Sequence, residues 1–270
     1  MILRKAAIFL HIAALSISML GATFSEASSL SNYLSVVILT FSLIFIIYGF
    51  NDLCDYGPKN NENDFLSFKK SLTLYFVATL LLVLFAFKYL PIIKSAALCS
   101  IIFLGISYSL PMKIFNKKIK IKNIFIVKNI YIGLGWALLV LLGSGTFSAP
   151  YVLTVAAFVF IQVFIGSIMR DMDDLKEDKE SKTESFPIRI GIRNTKTLLY
   201  VLNLMSLLLI FLSYEQNLIV SLVFVLPVIW RHVLLSQVQV ENLKSWVLQE
   251  ANLFTCVLIF ISRVGEKWIM

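Results

Sequence analysis

Nine apolar segments divide the chain, at about 6–24, 33–50, 71–88, 91–110, 124–143, 150–169, 197–213, 217–235 and 246–264. Each is long enough to cross the roughly 30 Å hydrocarbon core of a bilayer as a helix. Backbone in lipid must satisfy its own hydrogen bonds, so segments of this length are read as membrane helices. The composition agrees: 59% of residues are hydrophobic and only 15% charged, where a soluble domain carries about a quarter charged. The first segment has Arg4 and Lys5 ahead of it and small residues near Ala27. Its apolar core is longer than that of a signal peptide, so a retained helix is expected. The expectation is an all-α integral membrane protein of nine transmembrane helices, with residues 1–270 forming a single polytopic domain.

The charges set the expected orientation. If the N-terminus is cytoplasmic, all but four of the 24 lysines and arginines fall on the cytoplasmic side, leaving Lys88, Lys94, Arg263 and Lys267 outside. That asymmetry follows the positive-inside rule. It also accounts for the net charge of +8 without nucleic acid, because the basic residues alternate with apolar spans. Cys54, Cys99 and Cys256 are scattered and form neither a disulfide framework nor a metal spacing. His11 and His232 are far apart in the sequence, which argues against zinc. The longer polar loops, at 51–70, 112–123 and 171–196, all fall on the expected cytoplasmic side.

Two of these loops begin with acidic clusters. Asp171, Asp174 and Asp178 follow the sixth apolar segment at spacing i, i+3, i+7, which puts them on one face if the helix continues. Asp52 and Asp55, preceded by Asn51, follow the second segment at spacing i, i+3. Like charges on one face repel and call for a cation. Hard oxygen donors suit Mg²⁺, which takes one or two carboxylates, waters and substrate phosphates. Lys113, Lys117, Lys118, Lys182 and Arg189 are interleaved nearby. Together they make a receptor for a diphosphate. A site in the bilayer whose polar end grips diphosphate suits a lipid with a hydrocarbon tail. A carbocation left by an allylic diphosphate needs dry, aromatic walls, and 22 Phe and 10 Tyr are available to supply them.

The motifs resemble those of the UbiA superfamily of intramembrane prenyltransferases. Asn51, Asp52 and Asp55 match the start of its NDxxDxxxD pattern, and Asp171, Asp174 and Asp178 match its DxxDxxxD. Tyr108-Ser109-Leu110-Pro111 is similar to its YSxP, Lys128-Asn129 to its KN pair, and the stretch from Ser185 to Gly191 to its TLPxRxG. The resemblance implies a helical bundle around a central cavity capped by cytoplasmic loops. It implies Mg²⁺-dependent transfer of a prenyl group from a prenyl diphosphate to a small acceptor, often aromatic, as in quinone precursors. Asn51, Asp52 and Asp55 would hold one Mg²⁺, and Asp171, Asp174 and Asp178 another. Lys113, Lys128, Asn129 and Arg189 would contact substrate, and Tyr108 would line the site near the cation.

One position departs from the pattern: the last Asp of the first motif is replaced by Lys59. Asp64 reaching back, Lys59 touching phosphate, or weakened metal binding are the consequences open to the sequence. The loop also lacks the Arg-Pro of the 4-hydroxybenzoate branch. Lipid ether formation, carotenoid elongation, phosphoribosyl transfer to a polyprenyl phosphate and a non-catalytic lipid-diphosphate binder stay open beside quinone synthesis. A transporter is disfavoured, because the acids sit at helix ends and no inverted repeat is evident. His11 reads as a satisfied or interfacial histidine and Trp246 as an interfacial anchor, while Gln162, Glu250 and Asn252 are expected to face the interior.

Overall fold

The computed structural model describes residues 5–23, 30–56, 62–114, 117–147, 150–180, 183–212 and 218–237. The chain folds into α1 (Lys5–Thr23), α2 (Leu30–Tyr56), α3 (Glu62–Tyr89) and α4 (Ile92–Ser109), then a hairpin of β1 (Pro111–Ile114) and β2 (Lys117–Lys120). A 3-10 turn, Ile121–Asn123, leads into α5 (Val127–Ser144), α6 (Pro150–Asp173), α7 (Leu175–Glu180), α8 (Phe186–Arg189), α9 (Gly191–Leu212) and α10 (Leu218–Gln237). Six of these helices are long and apolar enough to cross a membrane, and α1 and α10 contribute shorter apolar stretches, Ile12–Ala22 and Phe224–Ser236. The first eight apolar segments thus correspond to α1 to α6, α9 and α10. The ninth, 246–264, lies outside the described residues.

The helices overrun their apolar segments where polar sequence continues the pattern. α3 begins at Glu62 and α9 at Gly191, so much of two expected loops is helical. The loop at 112–123 is the departure from an all-α fold. There β1 and β2 pair antiparallel, with Met112 opposite Ile119 and Lys113 opposite Lys118. Apolar and basic residues alternate over 112–114 and again over 118–122, a period of two that suits a strand rather than a helix.

α5 is the central element and packs against α1, α4 and α6. Its contact with α1 is made by glycines: a Cβ on Gly143 would lie 1.9 Å from the Ser18 carbonyl oxygen, and one on Gly21 would lie 2.1 Å from that of Val140. Small residues let membrane helices approach this closely, and van der Waals packing then holds them. The buried core runs through α1, α2, α4, α5 and α6, including Leu20, Leu43, Leu98 and Leu142. A second cluster joins the end of α6 to α8, α9 and α10 through Ile168, Met172, Phe186 and Leu199. α3 lies at the periphery, with Leu74, Phe76 and Leu81 exposed as a lipid-facing surface requires.

The two ends of α5 are set by backbone geometry. Gly145 closes it in the left-handed conformation (φ 70°), its N–H bonded to the Leu141 carbonyl, as helix C-termini commonly end. At the other end Ile126 has φ 64° and ψ −45°, and Val127 N–H bonds back to Phe125 O at 2.7 Å. This is a γ-turn, costly for a β-branched residue. Two residues later come Lys128 and Asn129.

Candidate active site

A cavity of about 650 Å³ opens where α2, α4, α5 and α6 converge. Its polar end is lined by Asn51, Asp55, Lys122, Lys128, Asn129, Asp171, Asp174 and Asp178. The wall below is apolar and aromatic, with Ile47, Tyr48, Leu104, Trp136 and Leu139 among its members. From Lys128 to Leu139 the wall follows α5 for about 16 Å at 1.5 Å per residue, or about half the hydrocarbon thickness.

The helix ends are tied together by side chains. Ser109, closing α4, donates to Asn51 Oδ1 at 2.7 Å, and Asn51 Nδ2 lies 3.4 Å from Asp55 Oδ2. On the other side Lys128 bonds Asp171 at 2.8 Å, with the two side chains only 10% and 11% exposed. Asn129 donates to Ser167 Oγ at 2.6 Å and to Asp171 Oδ2 at 3.3 Å. Asn129 is almost fully buried, and its Oδ1 has no hydrogen-bond partner although the residue lines the cavity. A buried amide oxygen left without a donor is costly, so the site is set up to receive a cation or a donor there.

α6 ends at Asp173 and α7 begins at Leu175, yet the backbone nearly runs through. Asp174 N–H bonds Arg170 O and Asp178 N–H bonds Asp174 O. This near-continuity keeps Asp171, Asp174 and Asp178 on one side, and all three line the cavity. Arg170 pairs loosely with Asp174, at 3.6 Å.

The structure treats the first cluster differently from the expected pairing. Asn51 and Asp55 share the cavity face, being about 40° apart around a helix of 3.6 residues per turn. Asp52 is turned a further 60° or so; it is exposed and absent from the lining. Arg189 is likewise outside the cavity, exposed, pairing with Glu184 at 3.4 Å and lying over the Phe125 ring at 4.6 Å. The side chains of Lys113, Asp64 and His11, and residues Lys59, Trp246, Glu250 and Asn252, lie outside the described residues. Tyr108 lines the cavity.

Three residues at the site carried no motif in the sequence: Lys122 and Arg231 in the lining, and Lys120, which meets the lining residue Asp55. Asp55 Oδ1 is held by Lys122 and, at 3.4 Å, by Lys120, and both lysines come from the hairpin and the turn after it. Basic residues were plain there, but nothing local says which acid they meet. Arg231 also lines the cavity and is fully buried, bonding Gln162 Oε1 at 3.4 Å and Gln162 O at 3.3 Å. Gln162 is buried, as expected of a polar residue within a span, and reaches Asn203 and Ser206 as well. The signal for Arg231 was a charge inside an apolar segment, which in a membrane helix marks an interior position.

A family model for the UbiA prenyltransferase family matches residues 9–254. The chain belongs to that family. Solved structures agree on the fold of this UbiA chain. A UbiA homolog from Archaeoglobus fulgidus bound to GPP and Mg²⁺ is 14% identical, with a TM-score of 0.76 over 97% of this chain and 98% of that one. The same homolog bound to DMAPP and Mg²⁺ gives 14% identity and a TM-score of 0.76, covering 97% of both chains. Its Cd²⁺-bound form gives 13% identity and 0.74, again over 97% of both. Among curated proteins none matches.

The two sides of the UbiA site differ in how well they suit a metal ion. Among the described residues no three His, Cys, Asp or Glu side chains stand close enough together to hold one by themselves. Mg²⁺ needs fewer, since waters and phosphate oxygens complete its shell. Asp171, Asp174 and Asp178, beside the unpartnered Oδ1 of Asn129, form an oxygen-rich set that fits it. Asp55 differs in charge balance: Lys122 and Lys120 both lie on its Oδ1, two ammonium groups to one carboxylate.

Proposed function

We propose that this UbiA chain transfers a prenyl group from a prenyl diphosphate to a small, aromatic acceptor, in the synthesis of a quinone or related isoprenoid lipid. The observation that carries the reading is the cavity itself: acids and lysines from four helix ends at one end, apolar and aromatic walls beyond. A diphosphate fits the first and a hydrocarbon tail the second. The relatives crystallised with GPP or DMAPP and Mg²⁺ support the same donor class.

In this reading Asp171, Asp174 and Asp178 hold magnesium, with Asn129 beside them. When bound, magnesium supplies positive charge against the leaving diphosphate. Lys128 holds Asp171 in place before substrate arrives, and Lys113 is assigned a diphosphate contact. The allylic carbon–oxygen bond breaks with its electron pair on the diphosphate. The freed carbon bonds to a ring carbon of the acceptor, which then releases a proton. Tyr48, Tyr108, Tyr131 and Trp136 line the cavity, and aromatic rings attract a transient cation. Asp52 and Arg189 are given no contact with substrate. The whole chain is taken as one nine-span membrane domain, with its N-terminus and the polar end of the cavity cytoplasmic.

The test is diphosphate release by the full chain in lipid nanodiscs, using geranylgeranyl diphosphate and a panel of phenolic and naphthoic acceptors. Release is expected to need Mg²⁺ and one acceptor, and to fall at least a hundredfold in Asp171→Ala and Asp174→Ala, about the loss of one strong transition-state interaction. Folded protein that releases diphosphate from no prenyl donor would refute the assignment.

A further inference from the structure

The α2 side of the cavity presents Asp55 as its carboxylate. Asn51 and Ser109 hold the helix end in place around it, at 3.4 and 2.7 Å in succession. Lys122 and Lys120 both aim their ammonium groups at Asp55 Oδ1, and Lys120 also reaches Cys54 O at 3.5 Å. Asp52 is turned away from the lining, and position 59, where the family pattern calls for another acid, is lysine. Among the described residues, one lining carboxylate therefore stands against two ammonium groups on this side. Across the cavity three carboxylates, Asp171, Asp174 and Asp178, stand against Lys128 and Arg170.

A divalent cation is attracted to the second arrangement and repelled from the first. An ammonium group is itself a donor of charged hydrogen bonds to phosphate. We propose that the α2 side holds no magnesium: Lys120 and Lys122 take the ion's place and grip the donor's diphosphate, while a single magnesium binds at Asp171, Asp174 and Asp178. The inference rests on the prenyl diphosphate reading above. Asp55 serves as the parking place of the two lysines. It holds Lys122, in the lining, and Lys120 beside it at the α2 edge of the cavity until phosphate oxygens, acceptors of the same kind, replace its own. Asp55 is in this sense a positioning residue and not a metal ligand.

Counting ions tests this without turnover. The full chain in nanodiscs is saturated with geranylgeranyl thiolodiphosphate, whose sulfur link resists cleavage, and titrated with Mn²⁺ while free Mn²⁺ is read by electron paramagnetic resonance. One bound Mn²⁺ per chain is expected, one again in Asp55→Asn, and none in the Asp174→Asn, Asp178→Asn double variant. Lys120→Met with Lys122→Met is expected to weaken analogue binding at least tenfold and leave the ion count at one. Asp55→Asn is nearly isosteric and keeps the count readable if the double lysine variant does not fold. Two ions in the wild type, one of them lost in Asp55→Asn, would overturn the inference while leaving the donor class intact, as would unchanged analogue binding in the folded lysine variant. An analogue that binds neither with nor without metal would overturn the donor reading and the lysine clamp with it.

Discussion

The Lys128–Asp171 ion pair ties α5 to α6, and removing half of it has a calculable effect. The two groups meet at 2.8 Å with side chains 10% and 11% exposed. Breaking a buried pair by removing one partner costs about 3–5 kcal/mol, because a charge is left without compensation. Asn129 continues to donate to Asp171 Oδ2 at 3.3 Å, which places Lys128→Met near the lower end, at about 3 kcal/mol. At roughly 2 °C per kcal/mol for a chain of this size, the midpoint should fall by about 6 °C. Thermal unfolding in nanodiscs without added divalent ions would be followed for Lys128→Met, Asp171→Asn and the double variant. The double should lose less than the sum of the singles, with a coupling of about 2 kcal/mol or more. A Lys128→Met midpoint within about 1 °C of wild type, or strictly additive losses, would mean the pair behaves like a solvated surface bridge, and the reasoning from its burial would fail.

Gly135 lines the cavity and a Cβ there meets nothing within 4 Å. Gly135→Leu should therefore fold normally and displace about four buried carbons of a long prenyl tail, about 3 kcal/mol at ~0.8 per carbon. Donor titrations should show affinity for the longest prenyl diphosphates falling on the order of a hundredfold and that for the shortest unchanged; equal losses for both would place Gly135 away from the tail. Gly143→Val drives a side chain into the Ser18 carbonyl and should cost at least about 3 kcal/mol, the upper end for overpacking, read as a lowered unfolding midpoint. At φ 64° Ile126→Gly should be about 1 kcal/mol more stable than Ile126→Ala, because only glycine takes this turn without strain; an alanine variant with the higher unfolding midpoint would show that the turn is not strained.

The cavity's composition was legible before its geometry. Apolar runs dictate spanning helices because lipid offers the backbone no other partners, and the Asp171, Asp174, Asp178 spacing fell on one face because α6 almost continues through it. The Lys128-Asn129 pair, too, stood out as a motif. Alternation is confined to Met112-Lys113-Ile114 and Lys118-Ile119-Lys120, one short run in each strand of the hairpin, too short to stand out from a loop.

Other features depended on how the helices are rotated and packed. Asp52 and Asp55 look equivalent in sequence, and only the rotation of α2 against α4 and α5 turns Asn51 and Asp55 inward and Asp52 out. Lys120 and Lys122 are two basic residues among many until the end of the hairpin and the turn after it bring them to Asp55. Lys128 finds Asp171 across 43 positions of chain because α5 and α6 run side by side. Periodicity and motif spacing are local and survive in a linear string. The phase of a helix about its axis, and which charges meet across the bundle, are decided by close packing such as the Gly143–Ser18 contact, which no single segment contains.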